Sequence, residues 1–221
     1  MDGIFLLDKP AGLTSQQVVK EVKKKLKAKK VGHAGTLDPL ATGLLVILVN
    51  KATKLSNKIL NQDKSYWVEA KLFSENDTGD ITGKVIKDQK PFNINLEQVN
   101  HALNQFNDFS YWQKPPIYSA IKIKGKKLYE YARKGIEVEI PLKLVRIKKM
   151  KLLDYSAKDG KINFFVECSK GTYIRSLVQD LAEKLGTIAT VSQLRRISSG
   201  NFHIKQAVTL EELNETNIFI I

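Results

Sequence analysis

Apolar and polar positions along the chain fall into short periodic segments separated by turn residues. Gly3 to Asp8 reads as a strand, closed by Lys9-Pro10-Ala11-Gly12. Thr14 or Ser15 caps a helix predicted to run to about Lys30, in which Val18, Val22 and Leu26, with Val19 beside them, form one apolar stripe. The continuous run Leu44 to Val49 predicts a buried strand, and Ala52 to Leu60 a short helix. Ser65 to Phe73 alternates: Tyr66, Val68, Ala70 and Leu72 share one face, Trp67, Glu69, Lys71 and Phe73 the other. Ser74 to Gly83 is a polar hairpin connection. A helix is expected over Leu96 to Phe106, a break at Lys114-Pro115-Pro116, strands at Ser119 to Ile123 and Ile136 to Ile140, and a helical turn at Lys127 to Arg133. Leu144 to Tyr155 and Lys161 to Ser169 pair as a hairpin about Lys158-Asp159-Gly160. Gly171-Thr172 opens a helix through Leu185. Thr190 to Ser199 is a strand, and Leu210 to Leu213 a short terminal helix.

Charge changes this picture. The 221 residues carry a formal net charge of +13, almost all of it from lysine, since only Arg133, Arg146, Arg175, Arg195 and Arg196 are arginines. A strongly basic chain favours a polyanionic partner, most often nucleic acid. The first helix carries Lys20, Lys23, Lys24, Lys25, Lys27, Lys29 and Lys30 on its outer faces, which suits either a phosphate-facing or a plainly solvated surface. Tyr111 to Pro141 interleaves tyrosine, tryptophan, lysine and arginine, a composition suited to looped RNA. One cysteine and three scattered histidines offer no disulfide and no metal motif. The absence of a signal peptide and of a bilayer-length apolar run points to the cytoplasm.

One stretch concentrates the chemistry. In Gly32-His33-Ala34-Gly35-Thr36-Leu37-Asp38-Pro39-Leu40-Ala41-Thr42-Gly43, Asp38 is the only carboxylate between Glu21 and Asp63, a span that also holds nine lysines and His33. The proline keeps Asp38 out of helical backbone. A loop feeding a buried strand is a frequent site for a catalytic group. An Asx-Pro turn in which Asp38 caps its own backbone fits the same residues. Tyr66 likewise fits a packed core or a cleft wall. Arg175 lies in the first turn of its helix, off the apolar stripe, where a cation opposes the dipole; that placement calls for an anion nearby.

The segments LLDKPAGLTS, GHAGTLDPLATGLL, KSYWVEAKLF, DTGDITG, KPPIYSAIKIKGKKLYEYARKG, CSKGTYIRSLVQDLAEKLG and LRRISSGNF occur in this order. On them the chain resembles the TruB-type tRNA pseudouridine synthases over nearly its whole length. The resemblance implies an α/β (α+β) fold, the pseudouridine synthase fold: a curved, mostly antiparallel mixed sheet flanked by helices. It implies a single catalytic domain over residues 1–221, with a thumb-like RNA-contacting insertion around 111–141. The chain stops at Ile221, soon after VTLEEL, so a short form without the C-terminal PUA-type domain is expected, binding tRNA more weakly than longer members.

The implied reaction isomerises the T-loop uridine (position 55 in tRNA numbering) to pseudouridine, with base flipping and no cofactor or metal. Asp38 matches the catalytic aspartate, acting on C1′ or on the 2′ proton. Tyr66 matches the tyrosine that stacks on the base and is proposed to take the proton from its C5. Arg175 matches the arginine that keeps the aspartate ionised. His33 and Tyr173 are carried over as RNA contacts, Lys9 and Pro10 as the motif supporting the site, and Leu194 as an apolar wall of the uracil pocket. Asn76 and Lys143 depart from threonine and arginine at their positions. The partner implied is the tRNA T-arm, with no membrane, no obligate protein partner and a monomeric chain. Two other readings fit the scaffold: a non-catalytic tRNA-binding or folding module, and a synthase acting on other T-loop-like RNAs.

Overall fold

A computed structural model describes residues 2–219. Strand β1 (Gly3–Lys9) is buried along nearly its whole length. Helix α1 (Ser15–Lys25) starts from a reciprocal cap, with Thr14 Oγ1 accepting from Gln17 N and Gln17 Oε1 accepting from Thr14 N. It ends five residues short of the expected Lys30. Lys27 turns left-handed at φ 47° and Ala28 N donates back to Lys23 O, which closes the helix. Strand β2 (Val31–His33), unforeseen in the sequence, precedes the glycine-rich loop, and β3 (Thr42–Val49) follows it. The expected helix at Ala52 to Leu60 is a 3-10 turn, Asn50–Leu55, running into α2 (Ser56–Leu60).

Strand β4 (Lys64–Leu72) buries both faces apart from Trp67 and Lys71. The polar turn is a hairpin of β5 (Ser74–Asn76) and β6 (Val85–Asp88). Helix α3 (Leu96–Asn104) has an Asn95–Gln98 capping box and packs on later elements. Strand β7 (Phe109–Gln113) also went unforeseen. Strand structure at Ser119 to Ile123 shrinks to β8 (Lys122–Ile123), paired with β9 (Lys126–Lys127), and the helical turn is α4 (Leu128–Ala132). No strand forms at Ile136 to Ile140. Its alternation finds no pairing partner among the described residues, and Ile136 stays 47% exposed. The long hairpin is β10 (Lys143–Ser156) and β11 (Lys161–Cys168). Helix α5 (Ile174–Lys184) begins at N-cap Tyr173. Strand β12 (Ala189–Ser199) pairs with β13 (Phe202–His203), and Leu210 to Leu213 is a turn in place of a helix.

The chain divides into two compact units. The first comprises Met1–Trp67 and Gln193–Ile221. Here the strand order is β1-β3-β12-β4. β3 runs antiparallel to β1, from Gly3 opposite Val49 to Lys9 opposite Gly43, and parallel to β12 at Thr42 and Gly43. The apolar run of β3 is explained by this: Leu44 to Val49 are fully buried, so neither face needs a polar residue. Ile4, Leu6, Leu44, Val46, Leu48, Ala52 and Ile59 form its core on one side.

The second unit is Val68–Ser192. Its strand order continues β12-β4-β11-β10-β7, with β7 at the end. β10 is antiparallel to both neighbours and carries bulges between Ile147 and Lys149 and between Leu152 and Asp154. Helices α3 and α5 pack together, with α3 against β10. The sheet is thus mixed and mostly antiparallel, as expected. No helix among the described residues is long and apolar enough to cross a membrane.

Candidate active site

In the first unit, the backbone that carries Asp38 is held from several sides. Asp38 is half-buried, and its carbonyl accepts from Ala41 N, closing a tight turn around Pro39. Ser15, the first residue of α1, fixes the preceding residue: its Oγ accepts from Leu37 N at 2.8 Å and donates to Leu37 O at 3.1 Å. Lys9 is completely buried at the end of β1, and its Nζ donates to Pro10 O, Leu13 O and Pro39 O at 2.8, 2.7 and 3.3 Å. One ammonium thus joins the β1–α1 turn to the residue after Asp38. Gly12 N also donates to Pro39 O. Burial pulls the Lys9 ammonium down to about 8, with Asp38 opposing that effect and Arg196 adding to it. Pro10 is exposed at the head of the turn that Lys9 closes.

Arg196, which sequence reasoning did not assign, is the other anchor. It is 1% exposed, and it donates from Nε to Leu44 O at 2.7 Å and from Nη2 to Gly35 O at 3.0 Å. Tyr66, 8% exposed on β4, lies near enough to favour the Arg196 charge. Burial lowers the Arg196 pKa and Tyr66 offsets this. Gly35 and Gly43 let the loop approach it. Both have φ near 100°, and a Cβ on Gly43 would collide with the Arg196 backbone. A signal was available: alternation along β12 puts Arg196 on the same face as Leu194, the expected apolar wall, and a buried arginine needs built partners. Its neighbour Arg195 forks onto Asp8, donating from Nη1 at 3.0 Å and also from Nη2. Leu194 is 8% exposed, and its carbonyl accepts from Thr42. His33 is half-buried at the end of β2, with Nδ1 buried and unmatched among the described residues; burial, then Arg196, lowers its pKa.

The first unit therefore contains Lys9, Pro10, His33, Asp38, Tyr66 and Leu194. Tyr173 and Arg175 belong to the second unit. Arg175 is 6% exposed, so the stripe predicted for α5 was too narrow: its whole first turn, Ile174 to Val178, is buried. The guanidinium donates from Nη1 to Thr78 O at 2.7 Å and from Nη2 to Tyr118 O at 2.9 Å. Asp80 keeps that turn in shape, its Oδ1 accepting from Thr78 Oγ1 and Thr82 N. Asn76 donates to Gly83 O across the same hairpin.

Tyr173 is clamped at its backbone by buried Gln113, whose Oε1 accepts from Tyr173 N and whose Nε2 donates to Tyr173 O. Gln113 also donates to the Tyr111 hydroxyl, which donates to Asp180 at 2.6 Å. Burial raises both the Tyr111 and the Asp180 pKa. A cavity of about 860 Å³ within this unit is lined by Thr78, Lys114, Glu137, Ser176 and Asp180, among others. Among the described residues, no three His, Cys, Asp or Glu side chains gather as a metal site.

A half-buried aspartate thus stands on a braced loop at the head of β3. Among solved structures, the chain is similar to one described as a Cbf5-Nop10-Gar1 complex, at TM-score 0.74 and 29% identity. That match covers 96% of this chain and 53% of the other, so the chain spans about half the length of its structural relative. The family model for TruB family pseudouridylate synthases (N terminal domain) matches residues 23–174, and that for the tRNA pseudouridylate synthase B C-terminal domain matches 175–220. The chain belongs to the TruB family of pseudouridylate synthases, which are isomerases. Proteins named tRNA pseudouridine synthase B are similar to it: one from Mesoplasma florum at 50% identity, covering 98% of this chain and 75% of that protein, and one from Endomicrobium trichonymphae at 45%, covering 100% and 94%.

Proposed function

We propose that this chain isomerises the T-loop uridine of tRNA, position 55, to pseudouridine. The observation that carries the reading is the Asp38 loop, in which Lys9, Ser15 and Arg196 fix the backbone on both sides of one carboxylate while Tyr66 shares an anchor with it. The relatives' names supply the substrate class. In the reaction the N1–C1′ bond breaks, the uracil turns, and C5 bonds to C1′; a proton leaves C5 and one arrives at N1. The balance closes within the nucleotide, so no oxidant or group donor enters.

Asp38 is the group that acts at the sugar, either on C1′ or on the 2′ proton. Tyr66 stacks on the flipped base and takes the C5 proton, with Leu194 as an apolar wall. Arg175 keeps the carboxylate ionised. His33 and Tyr173 contact the RNA loop, and Lys9 and Pro10 hold the site. Residues around 111–141 act as a thumb on the T-arm. The lysines of α1 are exposed to meet phosphates. The protein works in the cytoplasm as a monomer, without an obligate protein partner, on a domain that comprises residues 1–221.

The test is pseudouridine mapping on an unmodified tRNA transcript. Wild type is expected to modify one T-loop uridine, and Asp38→Asn none, with RNA binding retained. Equal modification by both proteins overturns the role of Asp38.

A further inference from the structure

We propose that Arg196 is a positioning residue of the reaction, a single buried fork that ties the Asp38 loop and the Tyr66 hydroxyl to each other. This role rests on those proposed for Asp38 and Tyr66. Its own support is geometric. Gly35 O and Leu44 O stand at the two ends of the segment that contains Asp38, and both accept from this one guanidinium, at 3.0 and 2.7 Å. The Tyr66 hydroxyl lies near the same guanidinium, which offers only donors, so it is the phenol oxygen that suits that side.

An ammonium could not do the same work. Lysine presents a compact point charge, whereas Arg196 spreads donors over a rigid plane wide enough for two carbonyls and a phenol. The loop is fitted to that plane. A Cβ on Gly35 would lie 3.3 Å from Arg196 Nη1, and one on Gly43 would overlap the Arg196 main chain. The charged and titratable groups that sense Arg196, namely Lys9 and His33, border the same loop. A movement of Arg196 therefore moves the carboxylate and the tyrosine together, which is what fixes their spacing about one nucleotide.

A double-mutant cycle on kcat tests this, using wild type, Arg196→Lys, Tyr66→Phe and the double variant in steady-state assays on tRNA. Arg196→Lys is expected to lower kcat by about tenfold or more with KM nearly unchanged, and to retain more activity than Arg196→Gln. In the Tyr66→Phe background, whose residual rate is read at high enzyme concentration over long time courses, the same substitution is expected to cost several-fold less, because the shared hydroxyl is gone. Equal factors in both backgrounds, with wild type active, overturn the proposal and leave Arg196 a purely structural residue. An inactive wild type overturns the functional reading itself and takes this inference with it.

Should Arg196→Lys not fold, the wild-type side chain can be observed directly. With five arginines in the chain, side-chain spectra of ¹⁵N-arginine protein are readable. One buried guanidinium signal is expected to move in Tyr66→Phe and again on adding tRNA. A signal unmoved by both overturns the coupling.

Discussion

Replacing Lys9 with methionine keeps the volume of the side chain and removes its charge and its three donors. Two of the bonds removed are short, to Pro10 O and Leu13 O at 2.8 and 2.7 Å, while Pro39 O keeps Gly12 N. Hydrogen bonds from a charged donor contribute about 1.5–3 kcal/mol each. Methionine, however, escapes the cost of burying an ammonium, which is several kcal/mol. Two such bonds come to about 3–6 kcal/mol and the burial cost offsets several of these, so the net loss at neutral pH is about 0–3 kcal/mol, up to roughly 12 °C in Tm for a chain of this size. A larger fall in kcat than in tRNA affinity should accompany it, because Pro39 is the residue after Asp38.

The pH dependence gives the sharper test. Burial lowers Lys9 from 10.5 to about 8. Between those values the unfolded chain still holds a proton that the folded chain has released. The Lys9 contribution to stability therefore rises with pH across this window, and is lost as pH falls through about 8. Methionine does not titrate, so the stability gap between wild type and Lys9→Met should widen from pH 7 to pH 10 in urea unfolding followed by circular dichroism. A gap that stays flat or narrows refutes the buried ammonium. A variant as stable as wild type at every pH refutes the clamp.

Two further outcomes are expected. Gly35→Ala, at φ 107° and against the Arg196 guanidinium, should cost about 1–3 kcal/mol and lower kcat while tRNA affinity holds; wild-type kcat would show that the loop does not depend on its fit to Arg196. Changing exposed Lys20, Lys24 and Lys27 together to glutamine should make the plot of log affinity against log salt shallower by about 0.9 for each phosphate no longer neutralised, and a line parallel to wild type would remove α1 from the RNA interface.

What the sequence reveals here depends on whether the signal is local. The β3 run, the Thr14 cap of α1 and the β10–β11 hairpin are written in neighbouring residues, and all three form. Ile136 to Ile140 alternates just as cleanly but gains no strand partner among the described residues, since pairing is a property of the fold. Phe109 to Gln113 becomes a strand because β10 runs beside it, with Trp112 opposite Leu144. Asp38 was legible as a solitary acid framed by glycines and proline. Arg196 was harder to see, because its partners are carbonyls of Gly35 and Leu44, and backbone oxygens leave no trace in residue identity. The same holds for Arg175 and its two carbonyls, and for the Gln113 clamp on Tyr173.

Strand β7 ends the strand order of the second unit, with Trp112 63% exposed and Phe109 45% exposed. An outermost strand with large apolar groups is a template onto which another copy could grow by main-chain bonding, the first step of aggregation. The residues that follow it limit that growth: Lys114 adds charge, and Pro115 and Pro116 have no N–H to offer, so the template stops after five residues. The Lys114-Pro115-Pro116 break, inside the proposed thumb, thus also limits growth along this edge.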